Sequence, residues 1–176
     1  MSVIAKKICL VGDFAVGKTS LIRRFVDRQF DDQYLTTVGM KLSRKNIVLN
    51  ANQKGEKKVD LLIWDLEGQT QFKGIAPTYL QGSAGGILVA DVTRLETIEH
   101  LENHIQSFSR INPTGLIVIA FNKVDLISEK KLEKIINQSN FSENKNIIKR
   151  YLTSAKTGNH VDDMFLTLAT HIIFSS

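Results

Sequence analysis

Gly12-Asp13-Phe14-Ala15-Val16-Gly17-Lys18-Thr19 sets two glycines, a lysine and a hydroxyl at the spacing G-x-x-x-x-G-K-[ST]. Glycines let a loop wrap closely, so that backbone N–H groups and a following helix N-terminus point at phosphate oxygens. In such a loop the lysine pairs the β- and γ-phosphates, and the hydroxyl after it binds Mg²⁺. The apolar run Lys7-Ile8-Cys9-Leu10-Val11 precedes it as a buried strand, and Leu21, Ile22 and Phe25 mark a helical face behind it. Strand, glycine-rich loop and helix form the context that the motif requires. Asp13, Phe14, Ala15, Val16, Gly17, Lys18, Thr19 and Ser20 are therefore the candidate phosphate contacts.

A phosphate loop alone does not separate adenine from guanine. Asn122-Lys123-Val124-Asp125 ends the apolar stretch Gly115–Phe121, which reads as a strand buried on both faces. In open parallel sheets, ligands sit beyond the carboxyl ends of strands. There an aspartate carboxylate accepts the N1–H and 2-amino protons of guanine together, and adenine would leave it unpaired. Thr153-Ser154-Ala155-Lys156 follows a second apolar segment, 147–152, so that the Ala155 N–H meets guanine O6 and the Lys123 and Lys156 stems flank the base. Between these motifs lies Asp65-Leu66-Glu67-Gly68-Gln69, suited to sensing a γ-phosphate. A phosphate-loop kinase is disfavoured, because Asn122 to Asp125 fits a guanine reader.

The elements that must position these residues follow an alternating order. Strands are expected near 4–11, 41–50, 58–65, 85–91, 116–122 and 147–153, and helices near 18–28, 71–80, 95–110, 128–138 and 158–174. Residues 53–58 read as a turn joining two antiparallel strands. Val161, Met164, Phe165, Leu168, Ile172 and Ile173 keep helical spacing and read as a core face. With 176 residues, 43% hydrophobic and 23% charged, the chain is one soluble domain. Its one cysteine, Cys9, lies in the first apolar strand and excludes an internal disulfide, which fits a reducing, cytoplasmic setting. No apolar run reaches the roughly 20 residues that span a bilayer.

The net charge of +5 gathers in basic pairs at 6–7, 23–24, 57–58 and 130–131. No aromatic interleaving accompanies them, so they read as solvated faces and not as a nucleic-acid surface. His100 and His104 stand one helical turn apart, a spacing that can bind zinc. Glu102 does not stand where H-E-x-x-H places its base, and the pair reads as part of a surface helix.

The four segments in this order resemble the small GTPases of the Ras superfamily, closest to the Rab, Ras and Rho branches. The likeness covers essentially the whole chain and needs no gap from Gly12 to Val38. It implies a single α/β GTPase domain over 1–176, with a six-stranded, mostly parallel sheet, one antiparallel edge strand and about five flanking helices. By that resemblance Phe30 packs edge-on against the base, and Tyr34 and Thr37 are switch residues, with Thr36 the alternative to Thr37. Thr37 joins Thr19 at Mg²⁺ when GTP is bound, Asp65 holds the metal through water, Gly68 contacts the γ-phosphate and Gln69 orients the attacking water. Segments near 31–40 and 66–78 would then order around GTP and be read by protein effectors and regulators. Alternatives are a GTP/GDP-bound scaffold with little hydrolysis, and a ribosome- or RNA-associated GTPase. Oligomeric state is not legible.

Three departures stand out from that family. Phe14 occupies a position usually small, where its ring should project toward the approach of an arginine finger and slow hydrolysis. Glu67 replaces a small residue before the γ-phosphate-sensing glycine; a carboxylate there would repel phosphate, turn outward or approach Mg²⁺. The C-terminal residues contain no cysteine and Ser2 follows Met1, so no direct lipid anchor is expected. A prokaryotic member, or one tethered through another protein, fits that pattern.

Overall fold

The computed structural model describes residues 2–33, 36–51, 54–68, 77–139, 141 and 143–175. Six strands, β1 (Ile4–Gly12), β2 (Met40–Ala51), β3 (Gly55–Leu66), β4 (Gly85–Asp91), β5 (Leu116–Asn122) and β6 (Ile147–Leu152), form one sheet in the order β2-β3-β1-β4-β5-β6. Only β2 and β3 pair antiparallel; the other neighbours are parallel. The continuous apolar runs occupy the middle of the sheet, where both faces are covered: every residue of β4 is buried.

Helices α1 (Lys18–Asp27), α2 (Pro77–Leu80), α3 (Leu95–Glu99), α4 (Leu101–Ile111), α5 (Glu129–Gln138) and α6 (Val161–Phe174) flank it. On one face α1 and α6 meet the sheet, and the Phe25 and Phe165 rings stack at 4.2 Å between centroids. On the other, Leu101, Ile105 and Phe108 of α4 pack with Leu80, Leu88 and Ile119. Cys9 is fully buried in this second layer. Among the described residues no helix is long and apolar enough to cross a membrane.

Some boundaries differ from the sequence reading. The expected helix over 95–110 divides at His100, although His100 keeps a helical backbone and its N–H donates to the Glu96 carbonyl. The β2–β3 turn is tighter than expected, since β3 begins at Gly55, paired with Ala51, and takes Lys57 and Lys58 into the strand. The expected helix over 71–80 is seen only as Pro77–Leu80; residues 71–76 lie outside the described ones. The last helix starts at Val161 and not at 158.

The chain reverses direction across β1: the path from β1 through β2 to β3 lies on one side of that strand, and β4 to β6 lie on the other. The loops after β1, β3, β5 and β6 therefore open onto one end of the sheet, the ordinary place for a ligand in such folds. Replacing Phe165 by Ala should lower stability by about 3–5 kcal/mol, because the stacked Phe25 ring loses its partner. The midpoint of urea unfolding measures it.

Candidate functional site

The loop between β1 and α1 has its carbonyls held by donors from several parts of the chain. Lys18 Nζ donates to the carbonyls of Gly12 and Asp13 at 2.9 Å each. Arg94 Nη1 donates to Phe14 O (2.8 Å), Lys123 Nζ to Ala15 O (2.8 Å), and Asn122 Nδ2 to Val16 O (2.9 Å). The Gly17 carbonyl accepts from Leu21 N as α1 begins. Ala15 and Gly17 both take positive φ, 64° and 103°, and this curls the loop over the helix N-terminus. Gly17 admits no side chain: a Cβ would stand 2.3 Å from Asn122 Nδ2.

A cleft of about 310 Å³ opens above this loop. Phe14, Ala15, Gly17, Lys18, Thr19 and Ser20 line one end, with Thr37 and Gly68 beside them. Asn122, Lys123, Asp125, Ala155 and Lys156 line the other, and Phe30 also borders it. Asp65 and three of the described nucleotide-contact candidates stand outside the lining. Val16 turns its side chain into the core, Ser154 donates its hydroxyl to Asp125 Oδ1 at 2.7 Å, and Asp13 points behind the loop. Tyr34 and Gln69 lie outside the described residues.

At the loop end, Thr19 Oγ1 donates to Asp65 Oδ2 at 2.5 Å, and Thr37 Oγ1 lies 2.9 Å from Thr19 Oγ1 and 3.3 Å from Asp65 Oδ2. Asp65 Oδ1 is buried and has no hydrogen-bond partner. Two hydroxyls and a carboxylate with an unsatisfied oxygen are hard donors, and the set fits Mg²⁺. Thr37, not the exposed Thr36, stands in this cluster. Burial raises the Asp65 carboxyl above its ordinary range, against the Thr19 hydrogen bond and the Lys18 charge. Burial also pulls Lys18 down to about 8, which Asp65 and Asp13 only partly oppose.

At the other end Lys123, at φ 68°, pairs with Asp91 at 2.7 Å while reaching Ala15 O. Burial pushes the Asp91 carboxyl up, but the hydrogen bonds from Lys123 and Thr93 outweigh it and the net direction is down. The Asp125 carboxylate is exposed to the cleft, oriented by Ser154. It can present two oxygens to a planar ligand edge.

The departures find definite places. Phe14 lines the cleft and is 41% exposed. Its backbone faces Gly68 so closely that a Cβ on Gly68 would stand 2.5 Å from Phe14 Cα. Glu67 does not line the cleft. Its carboxylate accepts from the Gly39 N–H at 3.3 Å, so the expected repulsion of phosphate gives way to a contact between the two switch segments.

The reading of His100 and His104 as a surface pair is overturned. His104 is buried with 2% exposure, and both rings meet the Asp13 carboxylate, at 2.5 Å and 2.8 Å. Among the described residues no group of three or more His, Cys, Asp or Glu side chains is placed to hold a metal ion. Sequence reasoning missed Arg94, Asp91 and this cluster. A signal existed for His104, which falls on the 101, 104, 105, 108 buried stripe of α4.

The Ras family model matches residues 7–174. The chain belongs to the Ras family. Among its relatives, GTP-binding protein ypt5 of Schizosaccharomyces pombe is 34% identical over 94% of this chain and 77% of its own length. Ras-related protein Rab-13 of Bos taurus is 33% identical, over 97% and 81% respectively. Ras-related protein Rab-22A of Homo sapiens is 33% identical, over 94% and 82%. The Ras-superfamily switch architecture and GTP-binding motifs thus extend along the chain, with Rab- and Ypt-like relatives.

Binding a polyanion favours charged Lys18, so above about pH 8 nucleotide binding should take up a proton. Affinity should fall as pH rises through about 8, because the free protein then holds Lys18 neutral. The nucleotide-free fold gains stability over the same rise, since its lysine releases the proton more readily than the unfolded one at 10.5. Titration calorimetry of GDP in buffers of different ionisation enthalpy measures the uptake.

Proposed function

We propose that the chain is a guanine-nucleotide switch that binds GTP and GDP with Mg²⁺ and hydrolyses GTP slowly. The observation that carries this reading is one cleft with Asp125, Ala155 and Lys156 at one end and Lys18, Thr19 and Gly68 at the other. Asp125 accepts the guanine N1–H and 2-amino protons; a bound adenine would leave it unpaired. Lys18 leaves the Gly12 and Asp13 carbonyls for the β- and γ-phosphates, as inward-facing loop amides bind the same oxygens.

Thr19, Thr37 and, through water, Asp65 would hold Mg²⁺, which neutralises charge on the phosphate oxygens. The γ-phosphate gathers Thr37 and the Gly68 N–H, ordering the segments near 31–40 and 66–78 for partners that read the GTP form. Gln69 orients the attacking water. Catalysis is electrostatic positioning without a covalent nucleophile, and the fully buried Cys9 has no part in it.

Phe14 is the feature that favours a second reading, a nucleotide-bound scaffold with little turnover. Phe14 borders the cleft with its backbone against Gly68, where an activating partner would insert an arginine. Single-turnover hydrolysis separates the readings. A working switch should turn over at about 10⁻⁴ s⁻¹, as is usual for unassisted enzymes of this kind, and Gln69→Leu should lower that at least about tenfold. A wild-type rate equal to that of Gln69→Leu supports the scaffold. Phe14→Gly should raise hydrolysis, alone or with an activating partner; no change in either removes the steric role of the ring. Calorimetry with ATP tests the base reading, which fails if ATP binds as tightly as GDP.

A further inference from the structure

Asp13 is the loop side chain that turns away from the cleft, and its carboxylate is nearly buried at 8% residue exposure. An ionised carboxylate only accepts hydrogen bonds, so the facing hydrogens lie on His100 Nδ1 and His104 Nε2. Burial pushes the Asp13 carboxyl up, but the His104 and His100 hydrogen bonds outweigh it and hold it below its ordinary value. The two histidines share one face of the α3–α4 run, four residues apart. Arg94, at the start of α3, reaches the next loop residue through Phe14 O and is steadied by Glu96 at 3.2 Å.

These contacts lie 80 to 91 residues apart along the chain and converge on Asp13 and Phe14, the two residues after Gly12. Lys123 and Asn122 hold the second half of the loop, Ala15 and Val16, from the base end. The first half has Lys18 on two carbonyls, and Lys18 is the group that must leave when phosphate arrives. Once it has gone, Arg94, His100 and His104 on the α3–α4 run still hold the Phe14 carbonyl and the Asp13 carboxylate. That helix pair is itself firmly seated, with Leu101, Ile105 and Phe108 in the core.

We propose that Arg94, His100 and His104 are positioning residues that hold the first half of the phosphate loop in its nucleotide-bound shape, through the Phe14 carbonyl and the Asp13 carboxylate, and thereby slow nucleotide release. This rests on the guanine-nucleotide reading of the cleft. None of the three touches nucleotide. They act by keeping the Phe14 and Ala15 amides turned inward, a shape in which Ala15 holds a strained φ of 64° that these contacts offset.

The test follows release of GDP carrying an N-methylanthraniloyl fluorophore into excess unlabelled GDP, with Mg²⁺ present, and the melting temperature of each complex. His104→Leu removes the donor, whereas His104→Gln and His100→Asn put an amide N–H in place of the ring N–H. Losing a hydrogen bond to a charged group should speed release about tenfold in His104→Leu, and the donor-keeping variants should stay within about twofold of wild type. Arg94→Met against Arg94→Lys gives the same comparison at a half-buried site that tolerates change, should His104→Leu fail to fold. Release rates that follow melting temperature and not donor content overturn the positioning role. So do unchanged rates in all donor-deleting variants while wild type retains labelled GDP. A wild-type protein that holds no labelled GDP overturns the nucleotide reading, and this inference with it.

Discussion

The holding of every phosphate-loop carbonyl by a donor is the constraint on which the site depends. A peptide unit points its C=O and N–H in opposite directions, so each carbonyl held by a donor turns the following amide the other way. The carbonyls from Gly12 to Gly17 all have donors: Lys18, Arg94, Lys123, Asn122 and the α1 backbone. From Phe14 to Gly17 the loop therefore meets an anion already shaped, while Lys18 exchanges the Gly12 and Asp13 carbonyls for phosphate oxygens. The arrangement also explains why glycine stands at position 17. Asn122 reaches Val16 O by passing over Gly17, and any Cβ there would sit on its amide nitrogen.

The two ends of the cleft are one mechanical unit for the same reason. Lys123 ties Ala15 to Asp91 at the end of β4, and Asn122 at the end of β5 ties down Val16. Thr153 donates to Asn122 Oδ1, and Ser154 orients Asp125, so the loop after β6 steadies both members of the base reader. Parallel strands bring all of these chain ends to one edge of the sheet. Residues distant in sequence thereby share a single network.

Much of this was legible in the residues themselves. The sheet centre could be read because β4 and β5 are uninterrupted apolar runs, and α6 because Met164, Phe165, Leu168 and Ile172 keep a helical interval. The phosphate and base motifs were legible because their chemistry is local: neighbours in sequence are neighbours in the site. What stayed hidden is long-range. Asp13 says nothing of two histidines 87 and 91 residues on, and Glu67 gives no sign of bonding Gly39 across the hairpin. His104 shows how a spacing argument goes astray. A metal-like interval with His100 drew attention, while its place on the buried stripe of α4 carried the better information. The division of α3 from α4 at His100 had no sequence mark, since no Gly or Pro stands there.

The β2–β3 hairpin carries a mechanical implication. Its ladder runs unbroken from Ala51 opposite Gly55 to Met40 opposite Leu66, and Glu67 N to Gly39 O adds a further rung at 2.8 Å. Thr37 leaves one rail just beyond that rung and Gly68 leaves the other. The two segments that face the phosphate end are thus the tips of a single pair of tongs. Fastening one tip narrows the excursions open to its twin, and the Glu67 carboxylate clasping the Gly39 amide sits where the arms part.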